Sequence, residues 1–242
     1  MNYEFNNREN GFDEIKKEII LRTVLFAILS TGAGLTISHY NSSNHSNDFI
    51  IYLFLIPIII CVLAYGINKG IKRQKEIFES YKLTITDNEV IREQANTPTI
   101  VIPNNSIKSI KKNSNGTLTI IGTNPTKTIG VPPQLENFKK LSQLLSDFSP
   151  INDSSNMSFI HKYKGILVSL IMILLMIAVY TSTNKLIVGL SGAILTLGLG
   201  YSLYLIQISK NIDRKTKKGT WLLLIVLYSI IATMYYKLIG TV

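Results

Sequence analysis

The sequence predicts a membrane α-helical protein with about five transmembrane helices and a small α+β domain inserted among them. Three observations predict this class. Charged residues are 17% of the 242-residue chain, below the roughly 25% of soluble domains. Apolar residues gather in blocks at 19–38, 49–68, 165–182, 186–208 and 221–238, each close to the about 20 residues that cross a hydrocarbon core. Between the second and third blocks the pattern changes to short alternating runs, the period of half-buried strands. One apolar block alone would suit a buried core helix, but five in one chain do not.

The leader 1–18 (MNYEFNNRENGFDEIKKE) is acidic and rich in Asn, with Glu4, Glu9, Asp13, Glu14 and Glu18. It reads as a frayed or amphipathic segment on the inner surface, and no cleavage motif of a signal peptide follows it. The first block carries Arg22, whose long side chain can reach back to the interface. The second contains Pro57, which bends a helix, and Cys61, a lone cysteine that excludes an intrachain disulfide and reads as a small apolar packing residue. The third is short but almost purely aliphatic. The fourth carries small residues three or four apart, Gly189, Gly192, Thr196 and Gly200. Such a stripe permits close helix approach, either to a neighbouring span or to a partner or second copy. The interiors of spans two to four hold no Asp, Glu, Lys, Arg or His, and the fifth has only Lys237 at its end. Intramembrane charges mark proton and ion pathways, so coupled ion transport is not expected.

Lys and Arg set the orientation. The leader has Arg8, Lys16 and Lys17; the first hairpin loop, HYNSSNHSND, has neither residue. The segment after span two is basic (Lys69, Lys72, Arg73, Lys75), as is the loop before span five (Arg214, Lys215, Lys217, Lys218). The bias alternates, which places the N-terminus and the insert inside a bacterial cell membrane and the C-terminus outside. Frequent Asn, Ile and Lys also fit a bacterium with an AT-rich genome. These clusters account for the formal charge of +10, and their juxtamembrane Lys and Arg are attracted to anionic inner-leaflet lipid at about 1 kcal/mol each. No nucleic-acid motif accompanies it.

The insert begins after a basic stem, 69–79. YKLTITDNEVIREQ reads as two strands around a tight Asp87–Asn88 turn, and TPTIVIP as a third strand between prolines. SIKSIKK is either a helical turn or an irregular strand. GTLTIIG and TKTIGV read as two further strands across a turn at Asn124-Pro125. PPQLENFKKLSQLLSDF is an amphipathic helix entered at Pro132-Pro133, with Leu135, Phe138, Leu141, Leu145 and Phe148 on one face. Residues 149–164 form a polar linker to the last three spans.

Short antiparallel strands closed by one helix, with Ile100-Val101-Ile102-Pro103 feeding Ile107 and Ile110 and then Gly116-Thr117-Leu118-Thr119-Ile120, are similar to the bacterial pleckstrin-homology-like domains of small membrane proteins. The resemblance covers residues 80–148, with compressed loops. It implies a binding module, not an enzyme. Basic loops hold phosphoinositides in eukaryotic relatives, so the resemblance implies Lys108, Lys111 and Lys112, with Arg92 as an outlier, as lipid or partner contacts.

No P-loop, GxSxG or HExxH motif is present, and His39, His45 and His161 lack ligand spacing beyond a weak grouping of His39 and His45 with Asp48. The expectation is no enzyme, no cofactor and no metal site. Family members resemble accessory proteins of bacteriocin systems, so self-immunity or export is the leading role. A transporter or channel subunit regulated by the insert, and an envelope-stress or cell-division scaffold, are the alternatives.

Overall fold

The computed structural model describes residues 2–42, 45–124, 127–153 and 159–240, without the side chains of 45–49 and 159–163. The Asn124-Pro125 turn, the side chains of His45, Asp48 and His161, and most of the polar linker lie outside this description. The chain divides into two compact units.

The first unit is a sheet domain of residues 1–17, 72–163 and 206–218. Its first sheet has the order β1 (Asn2–Asn6), β2 (Lys82–Thr86), β3 (Glu89–Glu93), β4 (Ile100–Pro103), all antiparallel. Its second has the order β7 (Thr128–Val131), β6 (Leu118–Gly122), β5 (Ile107–Lys112), β8 (Ile151–Asp153), with β8 parallel to β5. The expected strands form where their alternation placed them. Leu83, Ile85, Val90, Ile100 and Ile102 of the first sheet meet Ile110, Leu118, Ile120, Ile129 and Val131 of the second in one core. Leu141 and Leu145 of α3 (Phe138–Phe148) close it. The β2–β3 link is the two-residue Asp87–Asn88 turn, and Thr86 Oγ1 accepts from the Glu89 amide at 3.0 Å. The β5–β6 link uses Gly116 at φ +81°, a left-handed conformation that favours glycine.

Three expectations change. The leader is not a frayed surface segment, because residues 2–6 are edge strand β1, with Phe5 in the core and Glu4 paired to Lys82 at 2.8 Å. Of the two readings left open for SIKSIKK, the irregular strand holds: it is β5, with a bulge between Ile107 and Ser109, preceded by a 3₁₀ turn at Asn104–Ser106. The closing helix starts at Phe138, not at the proline pair. Leu135 instead bridges to Asn7, and the Glu136 amide donates to Asn6 O at 2.9 Å, so turns at 133–134 and 136–137 paired with the leader take the place of a first helical turn. Residues 151–153 of the linker also become a strand.

The second unit contains residues 18–71, 164–205 and 219–242. Among the described residues five helices are long and apolar enough to cross a membrane: α1 (Gly11–Asn41), α2 (His45–Glu79), α4 (Phe159–Thr181), α5 (Lys185–Ile208), and α7 (Leu223–Ile239), entered through the short α6 (Arg214–Gly219). α1 and α2 run well past the apolar blocks, since nothing in residues 12–18 or the basic stem breaks a helix, and α2 continues through Pro57. Arg22 pairs with Glu18 one turn earlier at 2.5 Å. Cys61 is exposed, so it does not pack inside.

The core of this unit joins Val179 of α4, Leu195 of α5 and Ile230 of α7. A Cβ on Gly192 would overlap the thioether of Met234 on α7, and one on Gly189 would touch Leu238 at 3.8 Å. Half of the small-residue stripe therefore faces a span of the same chain. Gly200 faces open space, whereas Gly198, outside the stripe, lies against Met172 of α4. Lys237 Nζ donates to the carbonyls of Val179, Tyr180 and Ser182 at 3.1, 2.7 and 3.0 Å. A cation at the α4 C-terminus satisfies carbonyls that have no intrahelical partner.

Candidate functional site

The sheet domain recruits the loop between α5 and α7, and Arg92 is the centre of that junction. Arg92 shares a strand face with Val90, and its register partners are the core residues Leu83 and Ile100. Period two therefore drives a guanidinium inward at the end of β3, where only 1% of the residue remains exposed. Nη1 donates to Gln94 Oε1 at 3.0 Å and Thr97 Oγ1 at 2.7 Å. Nη2 donates to Lys210 O at 3.2 Å and Asn211 Oδ1 at 3.0 Å. Burial pulls the Arg92 pKa down, an effect the neighbouring Tyr81 opposes, yet a guanidinium stays charged at neutral pH. Every acceptor is neutral, and among the described residues no carboxylate pairs with it.

The same loop is fixed at two further points. Asn211 Nδ2 donates to Thr128 O at 3.0 Å, and the Arg214 amide donates to Asn96 O at 3.0 Å. Buried Asp213 takes hydrogen bonds from the Lys215 and Thr216 amides at 3.0 and 3.1 Å, an N-cap for α6. It also accepts from the Thr216 hydroxyl and pairs with Arg73 of α2. Burial pushes the Asp213 carboxyl up, but the Thr216 hydroxyl and amide and the Arg73 guanidinium outweigh it and hold it below the usual carboxylate range.

A depressed carboxylate pKa means stability that is present above the unfolded value of about 3.9 and is lost as pH falls through the lower folded value. Asp213→Asn is expected to cost about 1–3 kcal/mol near neutral pH. The difference from wild type should shrink below about pH 4. Melting temperatures of both proteins across pH 3 to 7 check this; a constant difference refutes it.

Beside Arg92 lies a pocket of about 490 Å³. Leu118, Ile120, Ile129 and Val131 point into the core, so Thr119, Thr128 and Gly130 make the outer face of the same strands and the pocket floor. Phe78, Tyr81, Gln94 and Asn211 stand around it with Arg92. The Tyr81 hydroxyl donates to Gly130 O at 2.8 Å, and burial pushes its pKa up, so it remains a neutral donor. Gln94 Nε2 donates to Ile77 O at 3.0 Å. Gln94 and Asn211 are thus each held by backbone on one side and the guanidinium on the other.

The expected site residues separate accordingly. Lys108, Lys111 and Lys112 are exposed on β5, with Lys112 in register with Asp153. Arg92 is not part of that surface, because its alternation with Val90 buries it. Arg73 and Lys217 are taken up by structure, the latter donating to Gln207 O at 2.7 Å. Lys69, Lys72, Lys75, Arg214, Lys215 and Lys218 are exposed. Sequence reasoning missed Tyr81, Gln94 and Asn211. The inward face shared by Val90 and Arg92 was the available signal, since a buried guanidinium demands acceptors. Among the described residues no cluster of His, Cys, Asp or Glu could hold a metal ion. Comparison with family models, curated proteins and solved structures finds no match for this chain.

Proposed function

We propose that the protein is a non-enzymatic membrane accessory protein that acts by binding or assembly at the inner leaflet through its sheet domain. One observation carries this reading. The leader, the insert and the α5–α7 loop fold into a single unit, and these are the three segments that the charge bias assigns to one side of the membrane. Each apolar helix has one end in that unit or joined to it by α6. A partner held by the sheet domain is thereby linked covalently to the whole helical unit, which suits a transducing or anchoring role. The exposed lysines of β5 supply a face for anionic headgroups or an acidic partner, and weak contacts suffice because the domain is tethered at the bilayer. The likeness of residues 80–148 to pleckstrin-homology-like domains supports a binding role, and self-immunity or export in a bacteriocin system is the cellular setting we favour.

A photocrosslinking residue at Ser109, between the β5 lysines, should give a discrete protein or anionic-lipid adduct in native membranes. The same residue at Gly66 of α2 serves as the control. In a peptide-producing strain, loss of the gene should raise sensitivity or lower secretion. Identical adducts at both positions, with sensitivity and secretion unchanged, would sink the proposal.

A further inference from the structure

The pocket beside Arg92 combines two properties that surface lysines do not offer. It is preformed, and it borders a buried positive charge that no carboxylate among the described residues compensates. A buried ion without a counterion is costly, and structures normally pair it or neutralise it. Arg92 cannot neutralise itself by losing its proton. Its four terminal N–H bonds go to neutral oxygens. These satisfy hydrogen bonding but leave the charge, and a low-dielectric surround makes that charge act at longer range than in water. The pocket volume of about 490 Å³ falls within the roughly 300–1,000 Å³ of small-molecule sites.

We infer that this pocket is a site for a small ligand bearing one oxyanion group, carboxylate or phosphate, held near Arg92 with its uncharged body over the Thr119–Gly130 floor. Arg92 supplies the field, and Gln94 and Asn211 keep the guanidinium fixed. Phe78 and Tyr81 offer apolar area to the ligand's body. The site is distinct from the β5 lysines and does not depend on their role. It also spans the junction with the α5–α7 loop, because Lys210 and Asn211 are two of the guanidinium's acceptors.

Gly130 gives a clean test. It has ordinary backbone geometry, a Cβ there meets nothing within 4 Å, and Tyr81 bonds only its carbonyl. Gly130→Leu should fill the floor without disturbing the fold. The full-length protein in neutral maltoside is titrated with dioctanoyl phosphatidylglycerol, dioctanoyl phosphatidylcholine and inorganic phosphate, with binding read by calorimetry. Wild type is expected to bind one anionic probe saturably, at least tenfold tighter than the phosphatidylcholine. Gly130→Leu and Arg92→Lys should each weaken this at least tenfold, while Lys108→Ala/Lys111→Ala/Lys112→Ala keeps it. Tight binding of phosphatidylglycerol alone assigns a lipid headgroup; competition by inorganic phosphate assigns a free anion. No saturable anion binding, or full binding by Gly130→Leu, overturns the inference. Loss only in the triple lysine variant overturns it as well.

Discussion

Arg92→Met is expected to destabilise the sheet domain by about 3–5 kcal/mol, because four part-buried hydrogen bonds from a charged donor, each worth about 1.5–3 kcal/mol at most, are lost together and only partly replaced by water. Methionine keeps the apolar stem but abandons Gln94 Oε1, Thr97 Oγ1, Lys210 O and Asn211 Oδ1 together. Two of those acceptors are on the insert and two on the α5–α7 loop, so the substitution also unties the loop. That loop contains Lys210, Arg214, Lys215, Lys217 and Lys218, and limited trypsin digestion should cut it many times faster in the variant. Lys111→Ala, an exposed change, should move neither stability nor cleavage by more than about 0.5 kcal/mol. If Arg92→Met melts with wild type and its loop stays protected, the guanidinium is not the tie.

The sheet domain was legible in the sequence wherever alternation was long enough to register. EVIRE and LTIIG each bury every second residue, KLTIT buries Leu83 and Ile85 with Thr84 between them, and all three strands form as read. What escaped were pairings between distant stretches. Residues 2–6 alternate too, with Tyr3 packed against the core and Phe5 in it. Five polar-rich residues before an apolar helix give no clue that their partner lies about eighty positions later. The delayed start of α3 has the same origin, since Leu135 fits the helical period and is diverted by leader residues Asn6, Asn7 and Arg8 that pair with 134–136. The resemblance to pleckstrin-homology-like domains implies Arg92 as a lipid or partner contact beside the β5 lysines, which would hold it at the surface. Its strand parity placed it inside, and parity is the stronger rule when one face of a sheet is buried. The capture of residues 206–218 by the domain rests on two bonds from Arg92 to Lys210 and Asn211, one from Asn211 to Thr128, one from the Arg214 amide to Asn96 and the Arg73–Asp213 pair, which leave no periodic trace.

The second large effect is expected in the helical unit, where Gly192→Leu should lower the thermal stability of the detergent-solubilised protein far more than Gly200→Leu. Lipid is as apolar as leucine, so helices there associate through close packing and not through hydrophobic exclusion. Gly192 provides that closeness: its missing side chain is the space occupied by the Met234 thioether. Methionine is flexible and can swing aside for one methyl, so Gly192→Ala should cost about 1–3 kcal/mol and Gly192→Leu more. Gly200 belongs to the same sequence stripe, but a Cβ there meets nothing, and Gly200→Leu should be nearly neutral within the monomer. Met234→Ala removes the obstructing atoms. Combined with Gly192→Ala it should recover part of the loss, a coupling that a double-mutant cycle measures directly. Size-exclusion profiles after heating, followed by the fluorescence of the single Trp221, report the four proteins of that cycle and the two leucine variants. Equal melting of Gly192→Leu and Gly200→Leu would refute the α5–α7 contact. Loss of a dimer peak on Gly200→Leu alone would assign the other half of the stripe to a second copy of the chain.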